Sequence, residues 1–169
     1  MKNLIYALFT IFMFTSCQQQ KIGFIDNGKV INDYQEKLDL EGKFKTKDEA
    51  FKKRTDSIGQ LFQIEAQAFQ LAAQKMPQKK AQEKYQELGQ KQQVLQQQMQ
   101  FEQQQLQKEF QVEIDSIISK VQTFVEDYGK TNGYAYILGK NDAGSVMYGS
   151  ETNDLTTTVT EALNAAYKK

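Results

Sequence analysis

The chain has 169 residues, with 21 basic and 21 acidic side chains, and therefore no net charge. This length fits one domain with an extension, and the charge balance gives no basic field that would attract nucleic acid. The sequence has no histidine, no tryptophan and one cysteine. These absences exclude histidine-based zinc sites, serine–histidine and cysteine–histidine catalysis, and an internal disulfide. We predict a protein that is not an enzyme, needs no metal or cofactor and binds no nucleic acid.

The first 16 residues have the features of an export signal. Lys2 precedes an apolar run from Leu4 to Phe14 that is too short to span a bilayer as a helix. The sequence Thr15-Ser16-Cys17 ends this run and resembles the cleavage site of bacterial lipoproteins. We therefore predict that residues 1–16 are a lipoprotein-type signal peptide and that Cys17 is lipidated, which would anchor the chain to a membrane. A plain secretory signal followed by a chance cysteine is the alternative.

The rest of the chain divides into strand, helix and strand zones. Lys21 to Asp26 reads as a strand, and about residues 29 to 128 read as helix, rich in glutamine, which is a good helix former. Pro77 is the only proline and divides this helical zone nearly in half, so it marks a turn between two antiparallel helices. Tyr134 to Leu138 and Ser145 to Tyr148 are expected to form a β-hairpin. A last helix, capped by Asn153 or Asp154, is expected to run through Tyr167.

These zones predict an α+β fold. It combines a small β-sheet head, a long antiparallel helical coiled-coil hairpin and a C-terminal helix. The head comprises residues 17–28 and 129–169, and the hairpin comprises residues 29–128 with its tip near residue 77. Strand segments at both ends of the processed chain must meet to form the sheet.

Apolar residues follow both helices at heptad-like spacing. On the outgoing helix, Leu61, Ile64, Ala68 and Leu71 run beside the main stripe. Aromatic residues and methionines exceed what a two-helix interface can bury, so we interpret them both as packing residues and as contacts for apolar segments of an unfolded client protein. The predicted contact residues are Phe51, Ile58, Phe62, Phe69, Met76, Tyr85, Met99, Phe101 and Phe110.

The turn region is basic. Its lysines are Lys75, Lys79, Lys80 and Lys84. They are either a solvated helix face or a surface that contacts acidic lipid or an acidic client.

The order of these parts resembles the Skp/OmpH family of periplasmic chaperones. The resemblance covers about residues 21 to 168 and depends on the strand Lys21 to Asp26, the strand Tyr134 to Leu138, the segment Val146 to Tyr148 and the helix start at Asp154. It implies a homotrimer whose helical arms enclose unfolded outer-membrane β-barrel proteins without ATP. It also implies that the trimer head is built by Ile22, Phe24, Tyr136, Leu138, Val146 and Tyr148.

The family pattern is soluble and strongly basic, whereas this chain is neutral and carries a lipoprotein-type signal. Electrostatic capture of clients is therefore expected only at the basic turn. The expected location is the periplasm, with the lipid in the inner leaflet of the outer membrane. The alternative function is a lipid-anchored coiled-coil spacer between membrane and cell wall.

Overall fold

The computed structural model describes residues 20–141 and 144–168, so the predicted signal peptide and Cys17 lie outside the described residues. The elements are strand β1 (Lys21–Asp26), helices α1 (Asn27–Asn32), α2 (Gln35–Ala73) and α3 (Gln78–Thr131), strand β2 (Tyr134–Lys140) and helix α4 (Thr156–Tyr167). A short 3-10 helix, Glu151–Asn153, precedes α4. The predicted α+β fold, with a small sheet, long helices and a C-terminal helix, is confirmed.

The described residues form two compact units. The first, which we call the head unit, contains the described residues up to Tyr34 and from Ser119 onward. The second, the hairpin unit, is Gln35–Ile118. Helix α3 supplies residues to both units.

Local chemistry explains where the helices begin and end. Asp26 accepts a hydrogen bond from the backbone N–H of Lys29 at 3.0 Å and so caps α1. Pro77 stands immediately before α3, where its missing N–H is harmless, and its carbonyl accepts from the N–H of Ala81 at 3.1 Å. Gly133, with φ of 70°, lies just beyond the end of α3, in the left-handed conformation that terminates many helices.

The sheet in the head unit consists of β1 and β2 in parallel. Parallel pairing requires a long crossover, and α1, α2 and α3 provide it. Ile22 pairs with Tyr136 and Phe24 pairs with Leu138. The prediction that strand segments from both ends of the processed chain would meet is therefore confirmed.

The predicted β-hairpin between Tyr134–Leu138 and Ser145–Tyr148 is wrong. Residues 144–150 form no strand, and the backbone pairing in this part of the chain is made further on, by Asp154 and Leu155 with β1. The N–H of Leu155 donates to the carbonyl of Phe24 at 2.8 Å. Met147 and Tyr148 are 88% and 89% exposed, so these two side chains pack little against the chain in the observed conformation.

The core of the head unit lies where β1, α1 and α4 meet. Val30 of α1 and Val159 of α4 are completely buried. Thr156 connects the elements, because its hydroxyl accepts from the N–H of Asp26 at 2.9 Å and donates to the Asp154 carboxylate at 2.5 Å. The same carboxylate accepts from the backbone N–H of Thr156 at 2.9 Å, so Asp154 performs the predicted capping role although Leu155 occupies the N-cap position.

Candidate binding surface

Two aromatic pairs fix the register of the helices in the hairpin unit. The rings of Phe44 and Phe110 lie edge to face at 5.1 Å, and those of Phe69 and Tyr85 at 4.7 Å. Between the two pairs the chain advances 25 residues along α2 and returns 25 residues along α3. The two helices are therefore antiparallel, and they keep one register over this length.

Three ion pairs connect α2 to α3 at the edges of this interface. They are Lys47–Glu109, Arg54–Glu102 and Glu65–Lys91. The hydrogen bond from Lys91 holds the pKa of Glu65 below its ordinary value, against the opposing effect of partial burial. Exposed pairs of this kind contribute little stability each, but they oppose any slip in register.

The predicted contact residues fall into three classes. Phe69 is 7% exposed and packs against Tyr85, so its ring belongs to the interface between the helices. Phe51, Ile58, Phe62, Met99 and Phe110 are half-buried. Met76, Tyr85 and Phe101 are exposed. The last three are therefore the members of the predicted set that offer most of their surface to a partner.

Other exposed apolar side chains were not among the predicted contacts. Leu61, Ile64 and Leu71 of α2 are 67%, 63% and 72% exposed, and Val94 of α3 is 59% exposed. The signal for the first three was present in the sequence, because their spacing of three and seven residues places them on one helix face beside the main stripe. The sequence does not show that the partner helix leaves this second stripe uncovered.

The basic turn keeps free positive charge. Lys84 pairs with Glu87 at 2.7 Å, and this hydrogen bond raises the pKa of Lys84. Among the described residues, Lys75, Lys79 and Lys80 make no ion pair. A groove of about 570 Å³ lies beside the turn. Its apolar lining residues are Ala68, Phe69, Ala72 and Met76, and its charged ones are Lys80, Lys84, Glu65, Glu83 and Glu87.

The predicted head residues differ in their exposure to solvent. Ile22, Phe24, Tyr136 and Leu138 share one face of the sheet, because they form register pairs. Phe24 is buried within the chain, whereas Ile22, Tyr136 and Leu138 are exposed. In the following segment Val146 is half-buried and Tyr148 is exposed. Within the described residues, β2 pairs with no strand other than β1 and so leaves one edge open.

No group of three or more histidine, cysteine, aspartate or glutamate side chains suited to a metal ion occurs among residues 20–141 and 144–168. No helix in these ranges combines the length and apolar character needed to cross a bilayer.

Comparison with known proteins places this architecture in a family. The OmpH-like family of outer membrane proteins matches residues 21–163, which is most of the chain. The chain therefore belongs to the OmpH-like family. No curated protein sequence matches it significantly.

A solved structure shares the fold. It is the crystal structure of an OmpH-like protein from Caulobacter crescentus CB15, to which a role as an outer membrane chaperone is ascribed. The TM-score is 0.78 with 14% sequence identity, over 89% of this chain and 88% of the other. At this identity the likeness concerns the fold.

Proposed function

We propose that this chain is an ATP-independent periplasmic holdase that binds unfolded outer-membrane β-barrel proteins and prevents their aggregation. Family membership and the fold shared with an OmpH-like protein support a role as a chaperone. In this role the protein performs no chemistry on its client. It lowers the concentration of free unfolded client by mass action, and release needs no energy source.

The exposed apolar side chains of the hairpin unit are the observation that carries the proposal. Helices α2 and α3 each bury one stripe of apolar side chains against the other helix. Other large apolar side chains of both helices remain in contact with solvent. In the hairpin unit these are Leu38, Leu61, Ile64, Leu71, Met76, Tyr85, Val94, Phe101 and Val112. Apolar surface distributed in this way favours many weak contacts with a flexible chain rather than one rigid pocket.

The head unit supports self-association. A two-stranded sheet is marginal alone, and parallel strands are usually covered on both faces and edges. Here β2 has an open edge and exposes Tyr136 and Leu138. We propose that copies of the chain associate through this face, with Tyr148 and its neighbours contributing, to form the homotrimer that the family resemblance implies.

A lipid on Cys17 would hold this assembly at a membrane facing the periplasm. The proposal depends on the signal-like sequence of residues 1–16 and on the absence of any other cysteine. An anchored holdase would act close to the membrane into which its clients insert.

The test uses residues 17–169 with Cys17→Ser, a chain that contains every described element. A urea-unfolded eight-stranded outer-membrane β-barrel protein is diluted with and without the chain, and aggregation is followed by light scattering. Molar mass is measured on the same sample after size exclusion. We expect suppressed aggregation near one trimer per client. A monomer or dimer that leaves aggregation unchanged would contradict the proposal and favour the spacer function.

A further inference from the structure

The middle of the hairpin unit contains almost no charge. From residue 57 to 74 on α2 the only charged side chain is Glu65, and from residue 88 to 107 on α3 the only ones are Lys91 and Glu102. Most of the remaining positions carry glutamine, alanine or large apolar side chains. We call these two segments the neutral belt.

The few charges of the neutral belt are all paired. Glu65 pairs with Lys91 inside the belt, and Glu102 pairs with Arg54 just outside it. The belt therefore presents no unpaired charge, in contrast to the turn, where Lys75, Lys79 and Lys80 form no ion pair with any described residue.

Five of the nine large exposed apolar residues of the hairpin unit lie in this belt. Leu61, Ile64 and Leu71 lie on one face of α2, and Val94 and Phe101 lie on α3. Exposed glutamines stand between them, and each carboxamide can both donate and accept a hydrogen bond. The surface can therefore contact apolar side chains and unpaired backbone groups of an extended chain at the same time.

The size and charge of the belt match one class of partner. At about 1.5 Å per residue, residues 57–74 extend for about 27 Å. A strand of an outer-membrane β-barrel has an outward apolar band about 25 Å tall, from which charge is excluded because that face meets lipid. Binding such a face to a helix surface with unpaired charges would desolvate those charges, whereas the few charges of the neutral belt are paired.

We propose that the neutral belt, rather than the basic turn, is where the uncharged, lipid-facing side of an unfolded β-barrel strand binds. This inference rests on the proposed function and specifies the site and the chemistry of client recognition. Because the contacts involve no net charge, the affinity is insensitive to salt.

A second copy of the chain fits the belt less well. The exposed stripe from Leu61 to Leu71 covers only three helical turns. A coiled coil is specified by apolar heptads sustained over three or four repeats with charged flanking positions, and the flanks here are glutamine and alanine.

The test compares variants of residues 17–169 with Cys17→Ser in binding to a dye-labelled, urea-unfolded eight-stranded β-barrel protein. The belt variant is Leu61→Gln/Ile64→Gln/Leu71→Gln, which retains good helix formers. The turn variant is Lys75→Gln/Lys79→Gln/Lys80→Gln. The matched control is Thr157→Gln/Thr158→Gln, which changes exposed side chains of α4 outside the hairpin unit. Circular dichroism and molar mass establish that each variant is folded and assembled as the wild type is.

We expect the belt variant to raise Kd about tenfold, equivalent to about 1.4 kcal/mol, and the turn and control variants to change it by less than about twofold. Wild-type affinity should be unchanged from about 0.1 M to about 1 M salt, over which the Debye length falls from about 10 Å to about 3 Å. Gln60→Glu/Gln67→Glu, which leaves the apolar residues in place, should weaken binding at both salt concentrations because a bound client would desolvate a carboxylate.

The possible failures are distinguishable. If the wild type binds but loses affinity with salt or through the turn variant, the belt inference is overturned and the holdase function stands. If the belt variant changes the molar mass of the protein, the belt is an interface between copies, which also overturns the inference. If the wild type binds no client, the proposed function itself fails.

Discussion

The ring of Phe24 lies so close to the backbone of Gly149 that a Cβ atom at residue 149 would collide with it. This contact holds the segment after residue 144 against β1, although the segment forms no strand. It also explains why Phe24 is buried while its register partner Leu138 is exposed. Phe24 is thus buried by its own chain, whereas Leu138 is exposed and could contact a partner.

Gly149→Ala should therefore destabilise the head unit. The inserted methyl group must displace the ring of Phe24 from a packed position, and overpacking of this kind costs about 1–3 kcal/mol. Gly89→Ala is the control, because a Cβ there meets nothing within 4 Å and replaces glycine in a helix interior. The control should stabilise the chain by about 0.5–1 kcal/mol. Urea denaturation followed by circular dichroism measures both, and equal effects would contradict the contact described.

Thr156→Val should also destabilise the head unit, by about 1–3 kcal/mol, because it leaves the partly buried N–H of Asp26 without its acceptor. Valine keeps the shape and the β-branching of threonine, so packing changes little. Thr158→Val, at an exposed position on the same helix, should leave the free energy of unfolding nearly unchanged. If both variants unfold at the same urea concentration, the hydrogen bond is not contributing as described.

Asp154 should make the head unit sensitive to acid. Burial raises the pKa of Asp154, but the hydrogen bonds from Thr156 and the positive charges of Lys140 and Lys29 outweigh burial and hold this pKa below the ordinary 3.8. A carboxyl whose pKa is lower in the folded state stabilises it above the ordinary pKa, and this stabilisation is lost as pH falls through the folded value.

The corresponding experiment measures the urea midpoint as a function of pH for the wild type and Asp154→Asn. Above pH 3.8 the wild type should be the more stable, and the difference should shrink as the pH falls through and below that value. A constant difference across the whole range would show that the charge of Asp154 is not responsible.

Phe69 and Leu71 separate interface packing from exposed surface on one helix. Phe69→Ala removes a buried ring and should cost about 3 kcal/mol, the low end for such a change, because the hairpin unit is thin. Leu71→Ala removes a side chain that is 72% exposed and should change stability by less than about 0.5 kcal/mol. Thermal unfolding followed by circular dichroism distinguishes them. A large loss for Leu71→Ala would mean that Leu71 is buried in the protein as it exists in solution.

Sequence patterns predicted which segments form strands and caps better than they predicted which segments pair with each other. The strands around Phe24 and Tyr136 and the capping role of Asp154 follow from local composition, and the structure contains all three. The segment Ser145–Tyr148 has the composition of a strand but not the structure of one, and Met147 and Tyr148 are exposed. Composition does not show where a strand's partner comes from.

The sequence predicts that the hairpin carries apolar residues in excess of its interface, but it does not predict which of them are exposed. Phe69 and Phe110 are interpreted both as packing residues and as client contacts, and the structure shows their packing: the first is buried and the second half-buried in aromatic pairs across the hairpin. Leu61 and Ile64 remain exposed beside them. Which of two adjacent apolar stripes on α2 packs against α3 depends on the register of the two helices. That register is fixed by pairs distant in sequence, such as Phe44–Phe110 and Phe69–Tyr85, which no local pattern reveals.

Site-specific photo-crosslinking shows directly whether the hairpin unit binds unfolded client. A benzophenone is attached to a cysteine at one exposed position in residues 17–169 carrying Cys17→Ser, either Ile64→Cys on α2 or Thr158→Cys on α4. Each protein is mixed with a urea-unfolded eight-stranded β-barrel protein and irradiated. The account predicts a covalent adduct with the client from position 64 and little or none from position 158. Equal capture at both positions, or capture at position 158 alone, would contradict it.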